Sequence, residues 1–195
     1  MELPGIDHPH FVGDCNAVVD EVEEFITGTR SAPEYNRVLA TVLFTDIVGS
    51  TERAARLGDR RWRELLEVHD ELAGRLVEQF GGRLVKTTGD GILATFDGPG
   101  RAIRCAAALR DELTGIDLQI RAGLHVGEIE LREGDVGGIA VHIAARVMAA
   151  AAPGVILTSR TVRDLVVGSD IAMTDRGPHP LKGVDGTWQL FAASP

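Results

Sequence analysis

Residues 38–44 (VLATVLF) carry six apolar side chains and one threonine, and run directly into Thr45-Asp46-Ile47 and the turn Gly49-Ser50-Thr51. An uncharged apolar run of this length reads as a core strand. Asp weakens strands, yet Asp46 stands at the mouth of this one and faces a glycine turn. Two roles suit such a residue. Its carboxylate projects into a cleft, or it caps the helix that follows.

The rest of the chain supplies the frame. Spacing predicts an amphipathic helix over 14–27, with Val18, Val22, Phe25 and Ile26 on one side and Gly28 as its stop. A polar stretch with a proline, 28–36, reads as a linker. Residues 51–80 are largely helical with a break near Gly58, and Gly81-Gly82 is a turn. Two short strands, 83–88 and 91–96, meet at Gly89-Asp90 as a hairpin. Residues 99–113 form a helix with proline near its start. Residues 118–131 alternate as a strand, 139–151 are helical, and 154–158 are extended. A short helix over 159–167 and a strand over 187–192 complete the pattern. Strands and helices mix without strict alternation. That predicts an α+β fold, with helices packed on a mainly antiparallel sheet.

Composition narrows the function. The chain has 195 residues, enough for one good core. Its net charge of −9 excludes a general nucleic-acid binder, which needs a basic face. It contains no apolar run of membrane-spanning length and no signal-peptide pattern, so no membrane partner is expected. Two cysteines, Cys15 and Cys105, lack paired spacing, which fits a reducing cytoplasm and no structural zinc. An acidic protein that binds a phosphorylated small molecule needs metal ions and a few placed Lys or Arg residues.

Asp46 has a counterpart in Asp90, in the turn of "TTGDGI". Two carboxylates at neighbouring strand ends can hold one or two Mg²⁺ ions, which keep their waters and take few protein ligands plus substrate phosphates. The Gly49-Ser50-Thr51 turn offers backbone N–H groups at a helix start, where a phosphate can sit. The bland alternative makes Asp46 a cap and Asp90 an ordinary turn residue.

"TVLFTDIVGST", "KTTGDGILATF", "IRAGLHVGEIE", "AVHIAARV" and "LKGVDGTWQLF" follow one another in the order and at about the spacing of the class III nucleotide cyclase catalytic domain. The resemblance covers about residues 38–193 and is nearest to actinobacterial adenylate cyclases. It implies a ferredoxin-like α+β fold that works as a head-to-tail homodimer with composite sites at the interface. It also implies conversion of ATP to 3′,5′-cyclic AMP and pyrophosphate, assisted by two Mg²⁺ or Mn²⁺ ions. By the same resemblance Asp46, Asp90 and the carbonyl of Ile47 hold metal. Lys86 and Asp135 read adenine. Arg121 and Lys182 bind phosphates, and Arg146 stabilises the reacting phosphate. Asp46, Asp90 and Arg121 of one chain face Lys86, Asp135, His142, Arg146 and Lys182 of the other.

One position departs from the family's commonest pattern. His142 stands where an asparagine usually precedes the arginine by four residues. The spacing still puts His142 and Arg146 on one helix face. A ring nitrogen can donate as an amide does, so the ribose-orienting role can survive, with added pH dependence. The substitution keeps a weak or inactive nucleotide-sensing homologue as an alternative. A guanylate cyclase is the other alternative, although its usual signature would put an acid at Lys86 and a small residue at Asp135. His125 reads as a packed strand histidine, and Ser50 and Ser159 lack a nucleophile-elbow setting.

The domains are then 1–37, an N-terminal helix and linker, and 38–195, the catalytic domain. The first segment resembles the C-terminal end of an α/β-hydrolase, with His8 at the place of the triad histidine. It reads equally as an unrelated helix that packs on the catalytic domain or on another protomer.

Overall fold

The computed structural model describes residues 36–195 and, ahead of them, Val22, Glu24, Phe25, Ile26 and Gly28. The chain divides into two compact units, 1–36 and 37–195. In the first, Val22 and Glu24–Ile26 are helical, and Gly28, with φ 69°, donates its N–H to the Glu24 carbonyl at 2.9 Å. His8, Cys15 and the hydrolase resemblance lie outside the described residues.

The second unit runs β1 (Arg37–Ile47), α1 (Ser50–Leu57), α2 (Asp59–Gln79), β2 (Gly82–Thr87), β3 (Ile92–Phe96) and α3 (Pro99–Thr114). It continues with β4 (Ile120–Arg132), β5 (Asp135–Gly137), α4 (Ile139–Ala150), β6 (Ile156–Ser159), α5 (Arg160–Leu165), β7 (Ala172–Pro180) and β8 (Thr187–Ser194). One sheet holds all the described strands in the order β2-β3-β1-β4-β6-β8-β7, with β5 folded back on β4. The half β2-β3-β1-β4 is wholly antiparallel and is connected β1-helices-β2-β3-helix-β4, the split βαβ arrangement of a ferredoxin-like fold. The β4–β6 pairing alone among the described pairs is parallel.

Strand alternation sends β1 to two cores. Leu43 and Ile47 join the cluster under α2 and α3, with Ala73, Leu76, Ile103, Leu109 and Leu124. Ala40 and Val42 point the other way and pack with Ile129, Val136, Ala140 and Ala144 beneath α4. The helix approaches β4 closely because that strand carries glycine where they touch. A Cβ on Gly123 would lie 2.1 Å from the Met148 nitrogen. A further apolar cluster, including Ile143, Val147, Leu157 and Leu190, continues this layer.

The elements follow the sequence expectation closely, and the differences have local causes. The helical stretch breaks at Gly58, whose φ of 78° suits glycine. The first strand does not stop at Phe44 but continues through Asp46 to Ile47, because β4 pairs with it along that whole length. Strand β7 and the short β5 are additions. Strand β7 (AMTDRGPHP) holds a glycine and two prolines, and it lies at the sheet edge, where a missing N–H costs no ladder bond.

Candidate active site

Asp46 lies on the face of β1 that also carries Val42 and Phe44, beyond the reach of the apolar cluster under α4. Directly across β4 is Arg121. Its Nε and Nη2 both donate to Asp46 Oδ2, at 2.8 and 2.6 Å. This cross-strand ion pair is what lets a strand run on through an aspartate. Asp46 therefore does not cap the next helix. The N-cap of α1 is Gly49, at φ 68°, with no side-chain cap.

Asp90 is brought to β1 by its glycines. Thr88 N–H closes the hairpin turn on Gly91 O at 2.8 Å, and Ile47 N–H donates to Asp90 O at 2.8 Å. Gly91 makes the approach possible, since a Cβ there would lie 1.9 Å from Thr45 O. Buried Thr45 adds an anchor, its Oγ1 accepting from Ile92 N–H at 3.2 Å. The Asp90 carboxylate receives the Ser50 hydroxyl on Oδ2 at 2.5 Å. Asp46, Ile47, Asp90, Gly49 and Ser50 thus meet at one end of the sheet, with Thr51 exposed on the first turn of α1. In each carboxylate Oδ2 is engaged, and Oδ1 makes no hydrogen bond among the described residues.

Lys86 and Asp135 form a second group. A register shift between Leu84 and Lys86 marks a bulge in β2, a device that re-aims a side chain. Lys86 Nζ reaches Asp135 Oδ2 at 2.5 Å, with both side chains nearly half exposed. The Lys86 hydrogen bond, followed by one from Val136 N–H, holds the Asp135 carboxyl below the usual carboxylate range. It is therefore an acceptor at neutral pH.

His142 and Arg146 lie on one exposed face of α4, and Lys182 on the exposed connection between β7 and β8. None of the three makes a hydrogen bond or ion pair among the described residues, so all are available to a ligand or a second chain. His125 is buried beneath the same helix. Its Nδ1 lies 2.7 Å from Ser159 Oγ, its ring meets Trp188 edge-on, and burial pushes its pKa down to about 4. It is a packed residue, as its sequence setting predicts.

Sequence reasoning missed the contribution of the Ser50 hydroxyl and the need for glycine at position 91. Both depend on a hairpin folding back over β1, a contact between positions 40 or more residues apart.

The residues present suit hard divalent cations. Among the described residues no group of three or more His, Cys, Asp or Glu side chains converges. A carboxylate pair with free Oδ1 atoms, close to the Ile47 backbone, suits a magnesium-type ion that completes its shell with water and phosphate.

The family described as adenylate and guanylate cyclase catalytic domain matches residues 31–192. An uncharacterized protein of Mycobacterium tuberculosis is 36% identical over 194 residues, covering 93% of this chain and 50% of the relative. The putative adenylate cyclase 3 of Rhizobium meliloti is 32% identical over 175 residues, covering 82% of this chain and 29% of that protein. The chain thus spans half or less of the length of these relatives. The crystal structure of the adenylyl cyclase CyaB from P. aeruginosa superposes with a TM-score of 0.77 at 23% identity, covering 82% of this chain and 95% of that one. That likeness concerns the fold.

Proposed function

The chain belongs to the adenylate and guanylate cyclase catalytic domain family, and from that premise we propose that it converts ATP to 3′,5′-cyclic AMP and pyrophosphate. The reaction takes place in a cytoplasmic homodimer that uses two Mg²⁺ or Mn²⁺ ions. The ribose 3′-oxygen bonds to the α-phosphorus as the bond to pyrophosphate breaks, and the hydroxyl proton leaves to solvent.

The observation that carries the choice of ATP is the Lys86–Asp135 pair. It presents an ammonium donor beside an ionised acceptor. Adenine offers the matching edge, a ring nitrogen that accepts and an amino group that donates. Guanine offers the reverse at both atoms, and a site built on hydrogen bonds rejects such an analogue strongly. The names of relatives such as the R. meliloti protein support the same choice.

Asp46, Asp90 and the Ile47 carbonyl hold the cations, which supply charge neutralisation along the triphosphate and a more acidic ribose hydroxyl. The N–H groups of Gly49, Ser50 and Thr51 cradle a phosphate at the start of α1. Arg121 binds the phosphates, and Lys182 the β- and γ-phosphates. Arg146 meets the charge that develops on the reacting phosphate, a placement worth about 10²–10³ in rate. His142 orients the ribose. Each site is shared, with Asp46, Asp90 and Arg121 from one protomer and the remaining residues from its partner. The exposure of His142, Arg146 and Lys182 supports this sharing.

One observation favours a second reading. His142 replaces the family's usual asparagine, which suits a slow or inactive nucleotide-sensing homologue. A turnover assay with ATP and with GTP, in Mg²⁺ and in Mn²⁺, decides between them. Cyclic AMP from ATP alone supports the proposal. Cyclic GMP as the main product, or no product with either nucleotide, overturns it.

A further inference from the structure

The arginine read as a phosphate ligand is bonded to the aspartate read as a metal ligand. Arg121 Nε and Nη2 converge on the single oxygen Asp46 Oδ2, at 2.8 and 2.6 Å, from directly opposite positions on β4 and β1. Resting on the metal and phosphate roles above, we infer that Arg121 is the counter-ion of Asp46 before a cation arrives, so that capture of the cation and release of the guanidinium to the triphosphate are one exchange.

The surroundings call for such a counter-ion. The Asp46 side chain is only 20% exposed and Arg121 34%, and a carboxylate that far out of water needs a cation beside it. A divalent ion held by Asp46 would share that carboxylate with the guanidinium, so the two positive charges would compete for it. Asp90 is arranged differently. Its partner on Oδ2 is the neutral Ser50 hydroxyl, which orients the carboxylate and does not repel a cation. The two aspartates are therefore unequal: Asp90 is ready for metal, and Asp46 is held by a competitor. When the cation wins, the guanidinium loses its anion, and the triphosphate is the next one within reach. Cation and nucleotide then strengthen each other's binding, since the nucleotide's phosphates take up the displaced arginine.

The test measures cation binding without nucleotide. Mn²⁺ is titrated by electron paramagnetic resonance into the full chain and into Arg121→Met, Arg121→Lys and Asp46→Asn, with folding checked by circular dichroism. Arg121→Met should bind Mn²⁺ about tenfold more tightly than wild type, the order expected for removing a unit charge a few ångströms away. Arg121→Lys, which keeps the charge, should stay close to wild type, and Asp46→Asn should lose affinity. In the wild-type chain the Arg121 Nε–H resonance should shift on Mg²⁺ addition with the same midpoint as ion binding. Equal or weaker binding by Arg121→Met, or an unmoved resonance at saturating Mg²⁺, overturns the exchange. If Asp46→Asn binds Mn²⁺ as well as wild type does, the metal assignment itself fails, a separate result.

Discussion

Gly91→Ala tests how the two aspartates are brought together. The new Cβ would lie 1.9 Å from Thr45 O, 2.7 Å from Thr45 C and 3.0 Å from Asp46 Cα. Ordinary C···O contacts are about 3.3 Å, so the turn must withdraw from β1 by about 1.4 Å. Strand β1 cannot give way instead. It is paired with β4 along its length, and Val48 N–H is fixed on Gln119 O at 2.8 Å. The withdrawal breaks the Ile47 N–H to Asp90 O bond and the Ile92 N–H to Thr45 Oγ1 bond. Two such bonds cost about 2 kcal/mol and the residual overpacking about 1–3 kcal/mol, a total of about 3–5 kcal/mol. For a domain of this size that corresponds to a fall in Tm of about 10 °C. The Asp90 carboxylate moves with the turn by about 1 Å or more, which costs about 10²-fold in rate. Calorimetry gives the first quantity, and cyclic AMP formation below the variant's Tm gives the second. A variant within about 2 °C and about threefold of wild type would refute the claim that Gly91 sets the spacing of the aspartates.

Three further outcomes follow from the site and its surroundings. Asp46→Ala and Asp90→Ala should each abolish turnover while circular dichroism reports an intact fold; a rate within about tenfold of wild type for either would break the two-metal assignment. Lys86→Glu combined with Asp135→Gly should weaken ATP use and admit GTP, and unchanged selectivity in paired kcat/KM measurements would remove both residues from base recognition. His125 sets a pH limit. Burial lowers its folded pKa to about 4, below the unfolded value, so the unfolded chain binds the extra proton between about pH 6.5 and 4. Stability is full above that window and falls by on the order of 3 kcal/mol as pH drops through it. His125→Phe should flatten that part of a denaturation series.

The sequence displays some of this site and hides the rest, for physical reasons. Local signals were readable. The apolar run before Asp46, the glycine turn at 49–51 and the hairpin glycines around Asp90 each mark a backbone event within a few residues. The break at Gly58 is of the same kind. Strand β7 was not readable, because two prolines and a glycine contradict strand propensity and only an edge position tolerates them. Strand β1 runs on past its apolar stretch, since Asp46 is stabilised by a partner 75 residues away. The same distance hides the Arg121–Asp46 pair, and 49 residues hide Lys86–Asp135. Family resemblance pointed to these residues without giving the hydrogen bonds between them. That bonding depends on strand register, and register follows from the whole sheet.

The central claim is a composite site that cyclises ATP. Asp46→Ala and Arg146→Ala chains should each be inactive alone. They are mixed, allowed to exchange subunits, and the heterodimer is quantified by native mass spectrometry. In a mixed dimer one site carries both lesions and the other carries none. Random exchange makes about half of the dimers mixed, so about a quarter of wild-type cyclic AMP production should return. Activity that stays at the level of the separate variants, with heterodimers present, would mean that each chain builds its own site and would contradict the account.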